Sequence, residues 1–217
     1  MGTFITIEGI EGSGKSTLIR GLAAVLESGG HEVVCTREPG ATEIGRALRS
    51  ILLKAVDPAP GTLTEVFLFA ADRAQHVAEV IRPALAAGKV VLCDRYTDST
   101  LAYQGGGRGV DRGLLETMNE LATSGLKPER VLLLDLDPEI GLRRARSRCE
   151  EEGTGESWTR FEEEELAFHQ RLRDCFLELA ANEPDRFQII DATLSPEELV
   201  ASVMDGILAL LGGSRLS

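Results

Sequence analysis

The run "GIEGSGKS" at residues 9–16 follows directly on "TFITIE" at 3–8 and leads into "KSTLIRGLAAVLES" at 15–28. Its spacing is Gly-x-x-x-x-Gly-Lys-Ser, with Gly9, Gly14, Lys15 and Ser16 in the defining places. Glycines allow the backbone to curl so that successive N–H groups point inward at phosphate oxygens. The helix that follows adds the positive end of its dipole. A lysine in this position reaches the β- and γ-phosphates, and the serine hydroxyl is offered to Mg²⁺. The apolar run before the loop reads as a strand and the segment after it as a helix. Such a loop has to be delivered by a strand and left by a helix, which restricts the chain to an α/β architecture.

Further strand-like runs recur at 31–36 ("HEVVCT"), 89–94 ("KVVLCD"), 130–136 ("RVLLLDL") and 186–191 ("RFQIID"). Helical patterns are expected over 15–28, 41–54, 62–87, 111–123, 138–149, 160–181 and 195–211. Apolar strands alternating with helices predict a five-stranded parallel sheet covered on both faces, a three-layer sandwich. Ligands in such sheets bind beyond the carboxyl ends of the strands, so the informative residues should follow each strand. At 217 residues the chain reads as one domain over 1–217, without repeats or a long linker. One compositional break, the acidic and glycine-containing "CEEEGTGESWTRFEEEE" at 149–165, reads either as a mobile lid or as a solvated loop, with few apolar anchors beyond Trp158 and Phe161.

Charge and composition exclude several classes. A formal net charge of -12 argues against a nucleic-acid or anionic-membrane surface, whose footprint is basic. The four cysteines, at 35, 93, 149 and 175, form no C-x-x-C pair and read as free thiols. Three scattered histidines make no zinc pattern. With no signal peptide and no long apolar span, the cytoplasm is the expected compartment.

The segments after the strands carry the chemistry. "TREPGATEIGRALRS" (36–50) follows the second; Pro39 stiffens its turn, and Arg46 and Arg49 share a side of the next helix, Arg46 as a solvated face residue. In "LTEVFLFAADRAQH" (63–76), Leu63, Phe67, Ala70, Ala74 and Val77 form one apolar stripe, expected to face the core. Phe69 and Arg73 lie off it, four apart, an aromatic plate beside a planar donor that suits a nucleobase. In "CDRYTDSTLAYQGGGRG" (93–109), read as a loop, Asp94 ends an apolar strand where a carboxylate meets the Mg²⁺ hydration shell. Arg95 beside it is placed to bridge two phosphates, and Thr100, Tyr103 and Gln104 offer polar groups to a planar ligand. The acidic end of "LLLDLD" (132–137) competes for the metal and ranks second, because no arginine accompanies it.

A nucleotide switch or motor and a phosphoryl transferase both use such a loop. The Asn-Lys-x-Asp and Asp-x-x-Gly signatures of switches are absent. Arg49, Phe69, Arg73, Arg95 and Gln104 furnish an acceptor site that a switch would not need, which favours transfer.

Over nearly its whole length the chain resembles the bacterial thymidylate kinases, through "IEGIEGSGKST", "TREPG", "LRSILL", "FLFAADR", "CDRYTDSTLAYQGGGRG", "LDLDPEIGLRRARSR", "FHQRLRDCFLELA" and "IIDAT". The resemblance implies a P-loop nucleoside monophosphate kinase that makes dTDP from ATP and dTMP with Mg²⁺, as a homodimer. It implies that residues 9–17 (Gly9, Ile10, Glu11, Gly12, Ser13, Gly14, Lys15, Ser16 and Thr17) bind ATP, with Ser16 and Asp94 toward the metal. Phe69 would stack on thymine, Arg73 would bond its carbonyl, and Thr100 and Gln104 would meet the base edge. Arg49 and Arg95 would hold the acceptor phosphate, Glu38 would lie near the acceptor sugar, and Tyr103 would crowd a ribose 2′-hydroxyl. Another pyrimidine nucleotide kinase is the alternative, and a P-loop ATPase switch a more distant one. Some relatives carry an arginine after the acidic residue of the loop. Here Gly12 follows Glu11, so the missing cation is expected from the lid: Arg144, Arg146, Arg148 and Arg160 are the candidates, with Arg148 and Arg160 assigned as catalytic.

Overall fold

A computed structural model describes residues 2–53, 59–152 and 161–213. Five parallel strands, β1 (Thr3–Glu8), β2 (Val33–Arg37), β3 (Val90–Asp94), β4 (Arg130–Asp135) and β5 (Phe187–Asp191), form one sheet in the order β2-β3-β1-β4-β5. Every residue of β1 is buried, because β3 and β4 flank it and helices cover both faces. The register pairs Ile7 with Asp94 and Arg37 with Asp94, which brings the ends of β1, β2 and β3 to one edge of the sheet. The expected architecture is therefore the observed one.

Helix α1 (Lys15–Ser28) buries Leu18, Ile19, Leu22, Ala23 and Leu26, a stripe of helical period, and stops at Gly29 and Gly30. α2 (Glu43–Leu53) and α3 (Thr62–His76) pack together beyond β2. A π-helical stretch, Val77–Ile81, joins α3 to α4 (Arg82–Ala86), so the expected helix over 62–87 is one run with a π turn inside it. After β3 come α5 (Thr97–Thr100) and a second π-helical stretch, Leu101–Gly107. The remaining helices are α6 (Arg112–Thr123), α7 (Pro138–Glu152), α8 (Leu166–Asn182) and α9 (Pro196–Gly213). None of the described helices is long and apolar enough to cross a membrane.

Two expectations are corrected. The segment after β3 is helical, not a loop. Its glycines hid this, and they are there for packing: a Cβ on Gly106 would lie 2.8 Å from Cys175 Cβ, and one on Gly107 2.9 Å from Phe168 Cζ, both on α8. Second, α3 is turned over. Leu63 is 54% and Phe67 58% exposed, whereas Glu65, Asp72, Arg73 and His76 are buried. The polar face goes inside because its groups find ionic and hydrogen-bonding partners there, which pattern reading cannot see. At the end of the expected lid, Phe161 is buried in the main core beside Tyr103, Phe168 and Leu172. Most of that segment, including Trp158 and Arg160, lies outside the described residues.

Candidate functional site

The loops after β1, β2 and β3, together with α3 and the 97–107 segment, enclose a cavity of about 520 Å³. Gly9, Gly12 and Gly14 take positive φ (135°, 70° and 97°), the conformations that curl the 9–16 loop. Lys15 is buried beneath it and donates to the carbonyls of Gly9 (3.2 Å) and Ile10 (2.8 Å). Burial, reinforced by the neighbouring Arg95 cation, lowers the Lys15 ammonium to about 8. Ser16 Oγ donates to Asp94 Oδ2 at 3.3 Å, and the other Asp94 oxygen is buried with no hydrogen-bond partner. Glu11, Gly12, Gly14 and Thr17 also line the cavity, while the Ile10 side chain enters the core.

Arg95 stands at the centre, with a left-handed backbone (φ 69°) that an arginine adopts only under constraint. Its Nη1 donates to Gly9 O and Ser99 Oγ, both at 3.1 Å, and its Nη2 to Glu11 Oε1 at 3.0 Å. The guanidinium lies 4.8 Å from the centroid of the Tyr103 ring, whose hydroxyl donates to the same Glu11 oxygen. Burial opposes the Arg95 charge, but Tyr103, Glu11 and Asp94 outweigh it and hold the group protonated. Burial likewise raises Glu11, yet Arg95, His169, Lys15 and Tyr103 bring it down to about 2.

The far end of the cavity is built around Arg73, 2% exposed. Its Nε donates to Glu38 Oε2 (2.8 Å), Nη1 to Thr100 Oγ1 (2.9 Å) and Asn119 Oδ1 (2.6 Å), and Nη2 to Tyr96 O (2.9 Å). Gln104 Nε2 donates to Glu65 Oε1 at 2.6 Å, which orients the amide with its oxygen away from Glu65. Phe69 is half-buried on the cavity wall, 6.4 Å from Phe161 between ring centroids. Arg49 lines the wall after β2 and donates to Pro39 O at 2.8 Å; the Glu38–Pro39 peptide is cis. Burial, then Arg37, lowers the Arg49 guanidinium.

Among the described lid arginines, Arg148 lines the cavity, with Nη2 3.6 Å from Glu162, while Arg144 donates away from it to Ala192 O at 2.9 Å. Asp135, the competing strand-end acid, is clamped by Arg173 through two bonds of 2.6 and 2.9 Å, so its carboxylate is engaged elsewhere. Sequence reading missed Glu8, Glu65, His76, Asn119, Phe161 and His169. Glu8 accepts from Tyr96 N (2.7 Å) and Ser99 Oγ (2.6 Å) and so fixes the start of the 97–107 segment; burial and Asp98 raise it to about 7. Apart from Glu65 and His76, both on α3, these groups come from separate elements, and no spacing pattern flags them. Only "TREPG" and "FAADRAQH", as dense polar clusters, gave a signal.

A cavity with a phosphate-binding loop at one end and a caged arginine at the other can hold two phosphorylated ligands end to end, with Arg95 between them. Comparison with known proteins agrees. The family model described as thymidylate kinase matches residues 7–203. The thymidylate kinase of Solidesulfovibrio magneticus is 54% identical over 208 residues, 96% of this chain and 100% of that protein. That of Trichlorobacter lovleyi is 52% identical over 96% of this chain and 98% of its own length. The crystal structure of thymidylate kinase from Ehrlichia chaffeensis superposes with a TM-score of 0.74 at 32% identity, covering 95% of this chain and 98% of that one. By sequence, fold and site alike, the chain belongs to the thymidylate kinase family.

Proposed function

We infer that the protein is an ATP:dTMP phosphotransferase, forming dTDP and ADP as a step toward the thymidine triphosphate pool. The observation that carries this is the single cavity joining Lys15 and Asp94 at one end to the Arg73 cage at the other, with Arg95 between. The family match and the relatives' names support the choice of reaction.

The roles follow from charge and geometry. The attacking group is an oxygen of the dTMP phosphate, whose second pKa is about 6, so it arrives largely deprotonated and needs no general base. Catalysis then rests on alignment and charge neutralisation. The amides of residues 9–17 cradle the ATP phosphates, and Lys15 exchanges its carbonyl partners for phosphate oxygens. Arg95 does the same, leaving Gly9 O and Glu11 to span donor and acceptor phosphates, while Arg49 holds the acceptor from the other side. Arg148 supplies a cation at the rim; Arg160, outside the described residues, is assigned the same task. Ser16 and the unpartnered oxygen of Asp94 suit a Mg²⁺ ion, which takes few protein ligands and completes its shell with phosphate and water. When bound, that ion would neutralise phosphate oxygens of the donor.

Specificity belongs to the other end. Phe69 stacks on the pyrimidine, Arg73 and Thr100 meet the O4 edge, and Gln104 presents its oxygen to N3–H. Glu38 borders the acceptor sugar, and Tyr103, pinned by Glu11, leaves no room for a 2′-hydroxyl. A coupled ADP-release assay across acceptors tests the reading. The expected order of kcat/KM is dTMP, then dUMP by up to about tenfold, then dCMP, dAMP and ribo-TMP by a further ten- to hundredfold, about 1–3 kcal/mol for a mispaired buried donor. A preference for AMP or CMP would make the chain another monophosphate kinase on this scaffold.

We read residues 1–217 as one domain acting as a homodimer in the cytoplasm, without nucleic acid or membrane partners. Ile44, Ile51, Leu63, Phe67 and Leu121 are all more than 45% exposed, on α2, α3 and α6, which pack side by side. Such an apolar face suits a second copy. Free thiols at Cys35, Cys93 and Cys175 suit a reducing compartment.

A further inference from the structure

We propose that His76 is a positioning residue that sets base recognition through Glu38, at the middle of a relay running from the half-buried Thr36 on β2 to the buried Arg73. The proposal rests on the reading of Arg73 as the donor to the base. His76 is fully buried on α3, one turn after Arg73, and does not line the cavity. Its Nδ1 is 2.9 Å from Glu38 Oε1, and its Nε2 is 2.7 Å from Thr36 Oγ1. The other Glu38 oxygen accepts from Arg73 Nε at 2.8 Å.

The chemistry of these groups dictates the direction of the bonds to Glu38. Both Glu38 oxygens face donors, Arg73 Nε on one side and the His76 ring on the other, so His76 donates through Nδ1–H. Its Nε2 then meets the Thr36 hydroxyl, a group able to donate or to accept. The ring is thereby held at both nitrogens, and with it the plane of the Glu38 carboxylate that grips Arg73. Three further bonds, to Thr100, Asn119 and Tyr96 O, occupy all but one of the remaining guanidinium hydrogens. One Nη2 hydrogen is left for a carbonyl in the cavity, and its direction is as good as the cage that holds it. Breaking the relay frees Glu38 to rotate and lets Arg73 follow. Asp72, whose carboxyl burial and Glu38 raise to about 6, stands on the same helix as a second partner for a loosened guanidinium.

Replacement of His76 by Asn, Gln and Phe separates this role from a packing role. An asparagine amide stands where Nδ1 does and keeps the donor to Glu38; a glutamine amide reaches toward Thr36; phenylalanine keeps the volume alone. Steady-state constants are measured for dTMP, dCMP and ATP, with Tm for each variant. In His76→Phe and His76→Gln, KM for dTMP should rise about tenfold and the dTMP/dCMP ratio of kcat/KM should fall about tenfold, with KM for ATP unchanged. His76→Asn should stay within about threefold of the parent. In an Arg73→Gln background, His76→Phe should add nothing further. An unchanged ratio in a folded His76→Phe, or an undiminished effect in the Arg73→Gln background, overturns the proposal. If the Phe variant fails to fold, Thr36→Val decides, since it removes the hydroxyl while keeping the shape: a fall of about threefold in the ratio supports the relay and no change overturns it. Should the parent enzyme not prefer dTMP, the function reading fails by itself. The relay is then decided by the ¹⁵N shifts of His76: an Nδ1–H tautomer supports it and an Nε2–H tautomer overturns it.

Discussion

Gly12 follows Glu11 in the phosphate-binding loop, and its surroundings predict what any side chain would do there. Its φ is +70°, and a Cβ would lie 2.8 Å from the carbonyl carbon of Gly141, 3.0 Å from its Cα and closer still to its oxygen. The approach is mutual, since a Cβ on Gly141 would strike the Glu11 carbonyl and stand 3.1 Å from Ile10 Cδ1. The loop and the first turn of α7 therefore meet backbone to backbone, with no flexible side chain to give way. Placing alanine in a left-handed conformation costs about 1–2 kcal/mol. Forcing a methyl into a packed contact adds about 1–3 kcal/mol. The total, about 2–5 kcal/mol, corresponds to a fall of roughly 4–20 °C in Tm for a chain of this size. Gly30→Ala is the control: φ there is +84° and nothing lies within 4 Å, so only the conformational cost applies. Gly12→Ala should melt several degrees below Gly30→Ala. Its KM for ATP should also rise by at least about tenfold, because the loop amides are pushed off the phosphates while those near Gly30 are untouched. Gly12→Arg should lose activity as well, despite adding a cation to the loop. Equal melting temperatures for the two alanine variants, with an unchanged KM for ATP, would refute the backbone contact and the reasoning from it.

Three further outcomes are expected. Arg95→Ala should lower kcat at saturating dTMP by about 10²–10⁴-fold while the protein stays folded, and an unchanged rate would reduce Arg95 to a structural role. Because burial and Arg95 lower Lys15 from 10.5 to about 8, its charge is present below that pH and lost above it; kcat/KM for ATP should fall as pH rises through about 8, and Lys15→Ala should abolish that alkaline limb. Over the same window the unfolded lysine binds more protons than the folded one, so the contribution of Lys15 to stability rises with pH and the loss of activity is not unfolding. Sedimentation at micromolar concentration should give twice the 23.4 kDa chain mass, and Phe67→Asp should shift the particle to the monomer; a monomeric parent would remove the dimer.

Local sequence determined whatever is local in physical terms. The loop at 9–16, its strand and its helix are contiguous, so period, glycine spacing and Lys15 announced them together. The parallel sheet followed from apolar strands too short and too regular to be anything else. Arg95 was legible because it stands next to the acid that ends β3. Tertiary structure decided which face of a helix goes inside. Along α3, Leu63 and Phe67 read as core, yet the fold exposes them and buries Arg73, since Glu38, Asn119 and Thr100 arrive from three other segments to satisfy the guanidinium. Asp135 matched Asp94 as a strand-end acid until Arg173, 38 residues away, took its carboxylate. His76 carried no more than the weak signal of its polar cluster, because its meaning lies in a hydroxyl 40 residues before it and a carboxylate 38 before it. Burial energies and backbone periods are written along the chain; the pairing of buried polar groups depends on which residues meet in space, and only the folded structure supplies that.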